Sequence, residues 1–196
     1  RRYVDLSATL ADTFYYYVTA GNARIVSEPS DTVSAASRPA PFFELQNLDE
    51  SRFSVGDTLR LRAYITPAGH DIYGVSLFMT YEDSALTLLD ADSVKSGVQP
   101  FRIETGLSNA EVFENRLQPL MSNKLNLSLA ELSIKAGVEP VALGEIWFRT
   151  SIDTTTLITI DDEPANNRRS SVVEAQTGAW ILPFIPERPT QVSIRD

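Results

Sequence analysis

The stretch IYGVSLFMTYEDSALTLLDAD, residues 72–92, decides how this chain folds. Val75, Leu77, Met79 and Tyr81 alternate with Ser76, Phe78 and Thr80. A period of two puts one set of side chains on each side of an extended strand, so one side is apolar and buried while the other is turned outward. Tyr81-Glu82-Asp83-Ser84 and the leucine-containing Ala85-Leu86-Thr87-Leu88-Leu89 follow that alternation.

The same period recurs on both sides of that segment. Leu59, Leu61, Ala63 and Ile65 alternate with Thr58, Arg60, Arg62 and Tyr64. Leu125, Leu127 and Leu129 alternate with Lys124, Asn126 and Ser128. Ile146 and Phe148 alternate with Glu145, Trp147 and Arg149, and TTLITIDDE (155–163) adds a β-branched run. Each large inward side chain contributes roughly 1.5–3 kcal/mol when fully buried. A second sheet must cover the apolar side of the first, so an all-β sandwich is the expected architecture. Helical signal is thin. Ser108-Asn109-Ala110-Glu111 has capping-box spacing, which predicts one short helix near 108–117, with an irregular loop as the alternative.

Two stretches read as boundaries. SAASRPAP (34–41) is small and proline-bearing, and PFIPERPT (183–190) carries three prolines and is expected to be extended. The chain therefore divides into residues 1–36, a core at 41–185, and a tail at 186–196. Thirty-five residues are too few to bury a sandwich core by themselves. Starting at Arg1-Arg2 without a methionine, the sequence reads as a processed or excised piece of something longer.

Composition narrows the function. The chain has 196 residues, is 43% hydrophobic and carries a net charge of −9, so phosphate backbones are repelled and nucleic-acid partners are not expected. No apolar run approaches the ~20 residues of a membrane span. The absence of cysteine rules out disulfides, thiolate metal sites and cysteine nucleophiles. The single histidine, His70, stands in the turn-like PAGHDIYG and reads as a solvated loop residue. No G-x-S-x-G, phosphate loop or G-x-G-x-x-G accompanies it, so no enzyme is expected. Histidine-based metal sites need more than one imidazole. No cofactor is expected. The carboxylates Asp161-Asp162-Glu163, Asp90 and Asp92, and Glu82 and Asp83 are of the kind calcium takes, but none has EF-hand spacing and no ligand set is assigned. Asn126-Leu127-Ser128 fits the glycosylation sequon, yet it lies within an expected strand and reads as a chance match.

The core resembles the cohesin domain over about residues 42–185. FSVGDTLRLRAYI (53–65) resembles that family's lead-in strand, with Val55-Gly56-Asp57-Thr58 as its turn. The segment 72–92 is similar to its apolar strand and Tyr-Asp-Pro-like turn, although here Glu82-Asp83 replace the aspartate and proline. KLNLSLAEL (124–132) and GEIWFRTSI (144–152) resemble the later strand pair. The resemblance implies a jelly-roll sandwich that catalyses nothing and binds dockerin modules, on secreted or cell-surface proteins. Related carbohydrate-binding sandwiches share much of this pattern.

The flanks resemble fibronectin type III domains. FYYYVTAGN (14–22), preceded by Leu10 and followed by Ser27-Glu28-Pro29-Ser30 and Thr32-Val33-Ser34, is similar to that family's last three strands. Phe14 stands where the family has its corner tyrosine, and the aromatic run reads as core packing. PERPTQVSIRD (186–196) looks like the approach to the first strand of another such domain.

Parity turns Trp147 and Phe78 outward, and exposed large aromatics usually mark contact with something. One partner-binding face is therefore expected to carry Ser76, Phe78, Thr80, Asn126, Ser128, Trp147 and Arg149, unless a neighbouring module, a loop or a strand bulge covers the aromatics. Its partner would be a dockerin-like protein or neighbouring modules. Two alternatives stand beside this. In one, the terminal strand TQVSIRD completes a neighbouring molecule by strand addition in a filament or surface layer. In the other, Phe78 and Trp147 together form a polysaccharide platform.

Overall fold

The computed structural model describes residues 13–22, 25–36, 39–49, 52–107, 109–118, 121, 123–163, 168–183, 185 and 189–195. The chain separates into two compact units, Arg1–Pro39 and Ala40–Asp196.

In the first unit, β1 (Thr13–Tyr16) and β2 (Val33–Ala36) pair antiparallel, with Tyr16 opposite Val33. The Oγ atoms of Ser30 and Ser27 accept from the amides of Val18 and Ala20 at 2.9 Å each, beside main-chain bonds from the Ser30 and Ser27 amides to the carbonyls of Val18 and Ala20. Phe14 and Tyr16 stack obliquely with ring centroids 6.4 Å apart. Tyr15 and Tyr17, expected as packing residues, are instead exposed, as are Val18, Ile25, Val26 and Val33. The earliest of the three strands expected by resemblance falls in residues 3–12, outside the described residues.

The second unit is a two-sheet sandwich. One sheet runs β3 (Phe42–Asn47), β5 (Thr58–Thr66), β11 (Val141–Thr150), β7 (Leu86–Leu89), with β8 (Phe101–Ile103) also on β11. The other has eight strands. Its path is β16 (Trp180–Ile181), β15 (Ser171–Glu174), β6 (Ile72–Tyr81), β12 (Thr155–Ile160), β17 (Thr190–Arg195), β4 (Arg52–Ser54). From β6 it continues on the other side to β10 (Lys124–Ala130) and β9 (Glu111–Leu117). β13 (Asp162–Glu163) pairs antiparallel with β14 (Arg168–Arg169) in a separate two-stranded sheet.

The period-two pattern fills the space between the sheets. Leu59, Leu61, Ala63 and Ile65 from β5, Val75, Leu77, Met79 and Tyr81 from β6, Leu125, Leu127 and Leu129 from β10, and Ile146 and Phe148 from β11 are all buried in one core. The rings of Tyr81 and Phe148 meet across it with centroids 5.0 Å apart. Tyr81's hydroxyl pKa is pushed up to about 12, first by burial and then by Asp83. Gly56, at φ 92°, makes the Val55-Gly56-Asp57-Thr58 turn, and its amide reaches the carbonyl of Thr150 at 3.0 Å.

Several expectations are corrected. The helix near 108–117 is not formed: Thr105–Leu107 make a 3-10 turn and Glu111–Leu117 make β9. The segment gains a ladder against β10 that an isolated short helix would lack. Ser108, the expected cap, lies outside the described residues. His70 is not a solvated loop residue. It is 8% exposed, and its Nδ1 lies 3.1 Å from Glu174 Oε1. The tail 186–196 is not only a linker leading onward. Its strand β17 lies between β12, antiparallel with Val192 opposite Thr156, and β4, parallel with Ile194 opposite Phe53. Val192 and Ile194 are buried, which explains why the segment folds back. Residues 190–193 pair with β12 and residues 193–195 with β4, so this strand is built into the chain's own sandwich.

Candidate functional site

Residues of β6 that do not point into the core form the middle of an outer surface. Ser76 stands opposite Ser128, Phe78 opposite Asn126, and Thr80 opposite Lys124. The Oγ atoms of Ser76 and Ser128 are 3.2 Å apart, so two small hydroxyls bond each other and leave a low strip between taller neighbours. The strip widens on one side onto β9, where Glu114 faces Ser128 and Arg116 faces Asn126. Glu114 accepts from Arg116 Nε at 2.6 Å and from Asn126 Nδ2 at 3.0 Å. On the other side Ser171 stands opposite Ser76, Val173 opposite Gly74, and Trp180 opposite Val173. Val172 is buried, so Val173 and its partner Trp180 point the other way, outward.

Phe78 is outward as parity requires, but it is not bare. Arg168 comes over it from β14, with the guanidinium carbon 5.2 Å from the ring centroid. Asn126 is buried and its Oδ1 accepts from Arg168 Nη1 at 2.6 Å. That burial removes Asn126 as a glycosylation acceptor in the folded chain. Thr80 Oγ1 donates to the carboxylate of Asp161 at 2.8 and 2.9 Å.

Trp147 and Arg149 do not join this surface. They lie on β11, in the five-stranded sheet. Since Phe148 and Met79 share one core, the outward residues of β11 and of β6 lie on opposite sides of the sandwich. The expectation of one face holding all seven residues is corrected to five on the eight-stranded sheet and two on the other. A sugar platform made jointly by Phe78 and Trp147 is excluded for the same reason.

Trp147 has its own cover. The Arg102 guanidinium carbon sits 4.1 Å from its ring centroid. Its Nε1 donates to Glu145 Oε2 at 2.9 Å, and Glu145 also takes Arg62 in a close ion pair. The Arg62 hydrogen bond, with a smaller one from Trp147, holds the Glu145 carboxyl below its ordinary range. Arg60 grips Asp49 through Nε at 2.9 Å and Nη2 at 2.6 Å, and holds that carboxyl down likewise. Cations on this face are therefore largely spent on neighbouring carboxylates, while Arg149 is exposed.

Two residues of the surface escaped the sequence reading. Trp180 is 69% exposed. It precedes a proline-bearing stretch that reads as boundary, and only the pairing with β15 places it beside Val173. Arg168 had a faint signal: Asp161-Asp162 and Arg168-Arg169 stand on either side of Glu-Pro-Ala-Asn-Asn in the sequence, a charge pattern suited to a hairpin. Among the described residues no group of three or more histidine or acidic side chains is placed to hold a metal ion. No described helix is long and apolar enough to cross a membrane.

No protein-family model matches the chain, and no curated protein matches it. Solved structures do. A cohesin module from a Clostridium perfringens family 33 glycoside hydrolase has a TM-score of 0.57 at 11% identity, covering 80% of this chain and 98% of its own. A type II cohesin domain from the cellulosome of Acetivibrio cellulolyticus has a TM-score of 0.60 at 16% identity, covering 79% and 95%. The third ScaB cohesin of R. flavefaciens, solved in complex with a group 1 dockerin, has a TM-score of 0.53 at 7% identity, covering 83% and 99%. At these identities the likeness is one of fold. The chain carries a cohesin-like jelly-roll sandwich, and the strands that resemblance singled out in its sequence form the centre of that sandwich.

Proposed function

We propose that the second unit is a non-catalytic protein–protein interaction module of an extracellular or cell-surface protein. Its partner docks on the outer side of the eight-stranded sheet. The observation that carries this reading is the fold likeness to cohesin modules, one of them solved with a dockerin bound, over about four-fifths of the chain. The surface adds physical support. Ser76 and Ser128 make a low strip that a partner can approach closely. Trp180 offers an exposed aromatic of the kind that anchors interfaces.

Isothermal titration of the 196-residue chain against a panel of dockerin modules in calcium buffer tests the reading. At least one module is expected to bind with a Kd below about 1 µM. Ser128→Arg, which raises a bulky cation in the strip, is expected to weaken that binding at least tenfold, about 1.4 kcal/mol. Trp147→Ala, on the opposite side, is expected to change it less than about twofold. Absence of binding across the panel, or equal loss from both substitutions, overturns the reading.

A further inference from the structure

The strand bordering β6 is broken. Ile158–Ile160 of β12 pair with Met79–Tyr81, and Ser171–Glu174 of β15 pair with the Ile72–Ser76 half of the strand. Between them the chain leaves the sheet as the β13–β14 hairpin, and the gap falls at Phe78. Two flanking residues close it. The amide of Asp161 donates to Phe78 O at 2.8 Å, and the amide of Phe78 donates to Ser170 Oγ at 3.0 Å. Ser170 Oγ in turn donates to Asp161 O at 2.9 Å.

Arg168 then crosses the outer side of the sheet. Its side chain is only 9% exposed, against 4% for its partner Asp161. Nε donates to Asp161 Oδ2 at 2.8 Å and Nη1 to Asn126 Oδ1 at 2.6 Å. Nη2 donates to the carbonyls of Met79 at 3.0 Å and Leu125 at 3.3 Å. These acceptors belong to β6, β10 and the end of β12, and the Phe78 ring lies beneath the guanidinium. Only a planar fork of several N–H groups fits such a set; a lysine ammonium has one nitrogen and a point charge.

We propose that Arg168 is a positioning residue that latches the β13–β14 hairpin onto the β6–β10 face and thereby sets the surface a partner meets. It withholds Phe78 and Asn126 and leaves Ser76, Ser128, Glu114 and Arg116 to be read. The second half of this statement rests on the interaction-module reading; the latch itself does not.

Hydrogen exchange on the full 196-residue chain tests both. In Arg168→Ala the amides of Phe78, Asp161 and Ser170 are expected to exchange at least tenfold faster, while those of Leu61 and Ile146 in the other sheet keep their rates. Arg168→Lys is expected to behave like the alanine variant. Methylguanidinium at about 10 mM is expected to restore protection in Arg168→Ala, and methylammonium is not. Arg168→Ala leaves the Asp161 carboxylate buried without its cation and can unfold the chain. The double variant Arg168→Met with Asp161→Asn, which removes both charges together, is therefore measured alongside. Unchanged exchange at the three amides, or a uniform rise over both sheets in the alanine and double variants, overturns the latch. With any dockerin that the wild type binds, Arg168→Ala is expected to weaken binding at least tenfold. Unchanged affinity with a loosened hairpin overturns the positioning role. A wild type that binds no dockerin overturns the function reading, and the exchange rates then decide the latch alone.

Discussion

At Gly144 a β-carbon would lie 2.6 Å from the carbonyl oxygen of Arg102, main chain against main chain. The β5–β11 register shifts here, between Ala142 and Gly144. The missing side chain lets β8 close onto β11 at Gly144–Ile103. Gly144→Ala must push two strands apart, and is expected to cost about 1–3 kcal/mol, read as a lower urea midpoint at unchanged slope. Alanine at Gly106, where a β-carbon meets nothing within 4 Å, is the control and should stay near wild type. The sequence marks Gly144 only as a glycine beginning a strand-like run. What it marks well is parity: Phe78 and Trp147 do point outward. What covers them is not legible, because the covering groups are remote in the chain. Arg168 comes to Phe78 from ninety positions away, and Arg102 to Trp147 from forty-five. Alternation says which way a side chain points, and nothing about which loop returns over it.

At the level of elements, period two is legible wherever a strand has one side in the core. β5, β6, β10 and β11 are such strands, and their inward sets hold. Two elements and one face assignment differ from the sequence expectation, for three physical reasons. β9 is an edge strand, with Phe113 67% exposed, so its pattern is not shaped by burial and a local capping signal stood out instead. The assignment of Trp147 and Phe78 to one face failed because alternation carries no information about which sheet a strand joins. β17 was read through the prolines before it, although Val192 and Ile194 already alternate with Gln191 and Ser193. That last point yields a discriminating measurement. If 190–195 were the first strand of a separate module, Ile194→Ala would leave the sandwich untouched. Ile194 is instead 1% exposed and faces Phe53 across a parallel pair, so the substitution is expected to cost about 2–5 kcal/mol. Thermal unfolding of the 196-residue chain, with Gln191→Ala as the exposed control, checks it. Equal melting of the two variants would remove β17 from the sandwich.

For the whole molecule, charge and packing compete when the solution is acidified. The chain carries −9 near neutrality, so protonating carboxylates relieves self-repulsion and favours the compact state. Against this stand carboxylates whose folded pKa values are depressed: Asp49 by Arg60, Glu145 by Arg62 and then Trp147, Asp90 by the amides of Gln99 and Asp92, and Asp71 by the amide of Ala136. A depressed folded pKa means that the unfolded chain binds the proton first. The stabilisation from these groups is complete above the ordinary carboxylate range near pH 4 and is lost as pH falls through the lower folded values. Two of the four are held mainly by main-chain amides rather than by cations, so salt screens them less than it screens net charge. These fixed hydrogen bonds are expected to outweigh the diffuse repulsion. Urea midpoints are expected to be level between about pH 7 and 5 and to fall steeply below about 4. Asp49→Asn and Glu145→Gln should each flatten that fall. A midpoint that rises on acidification from pH 6 to 4, and does so less in high salt, would show that net charge governs this fold and that the pairs on its five-stranded face do not.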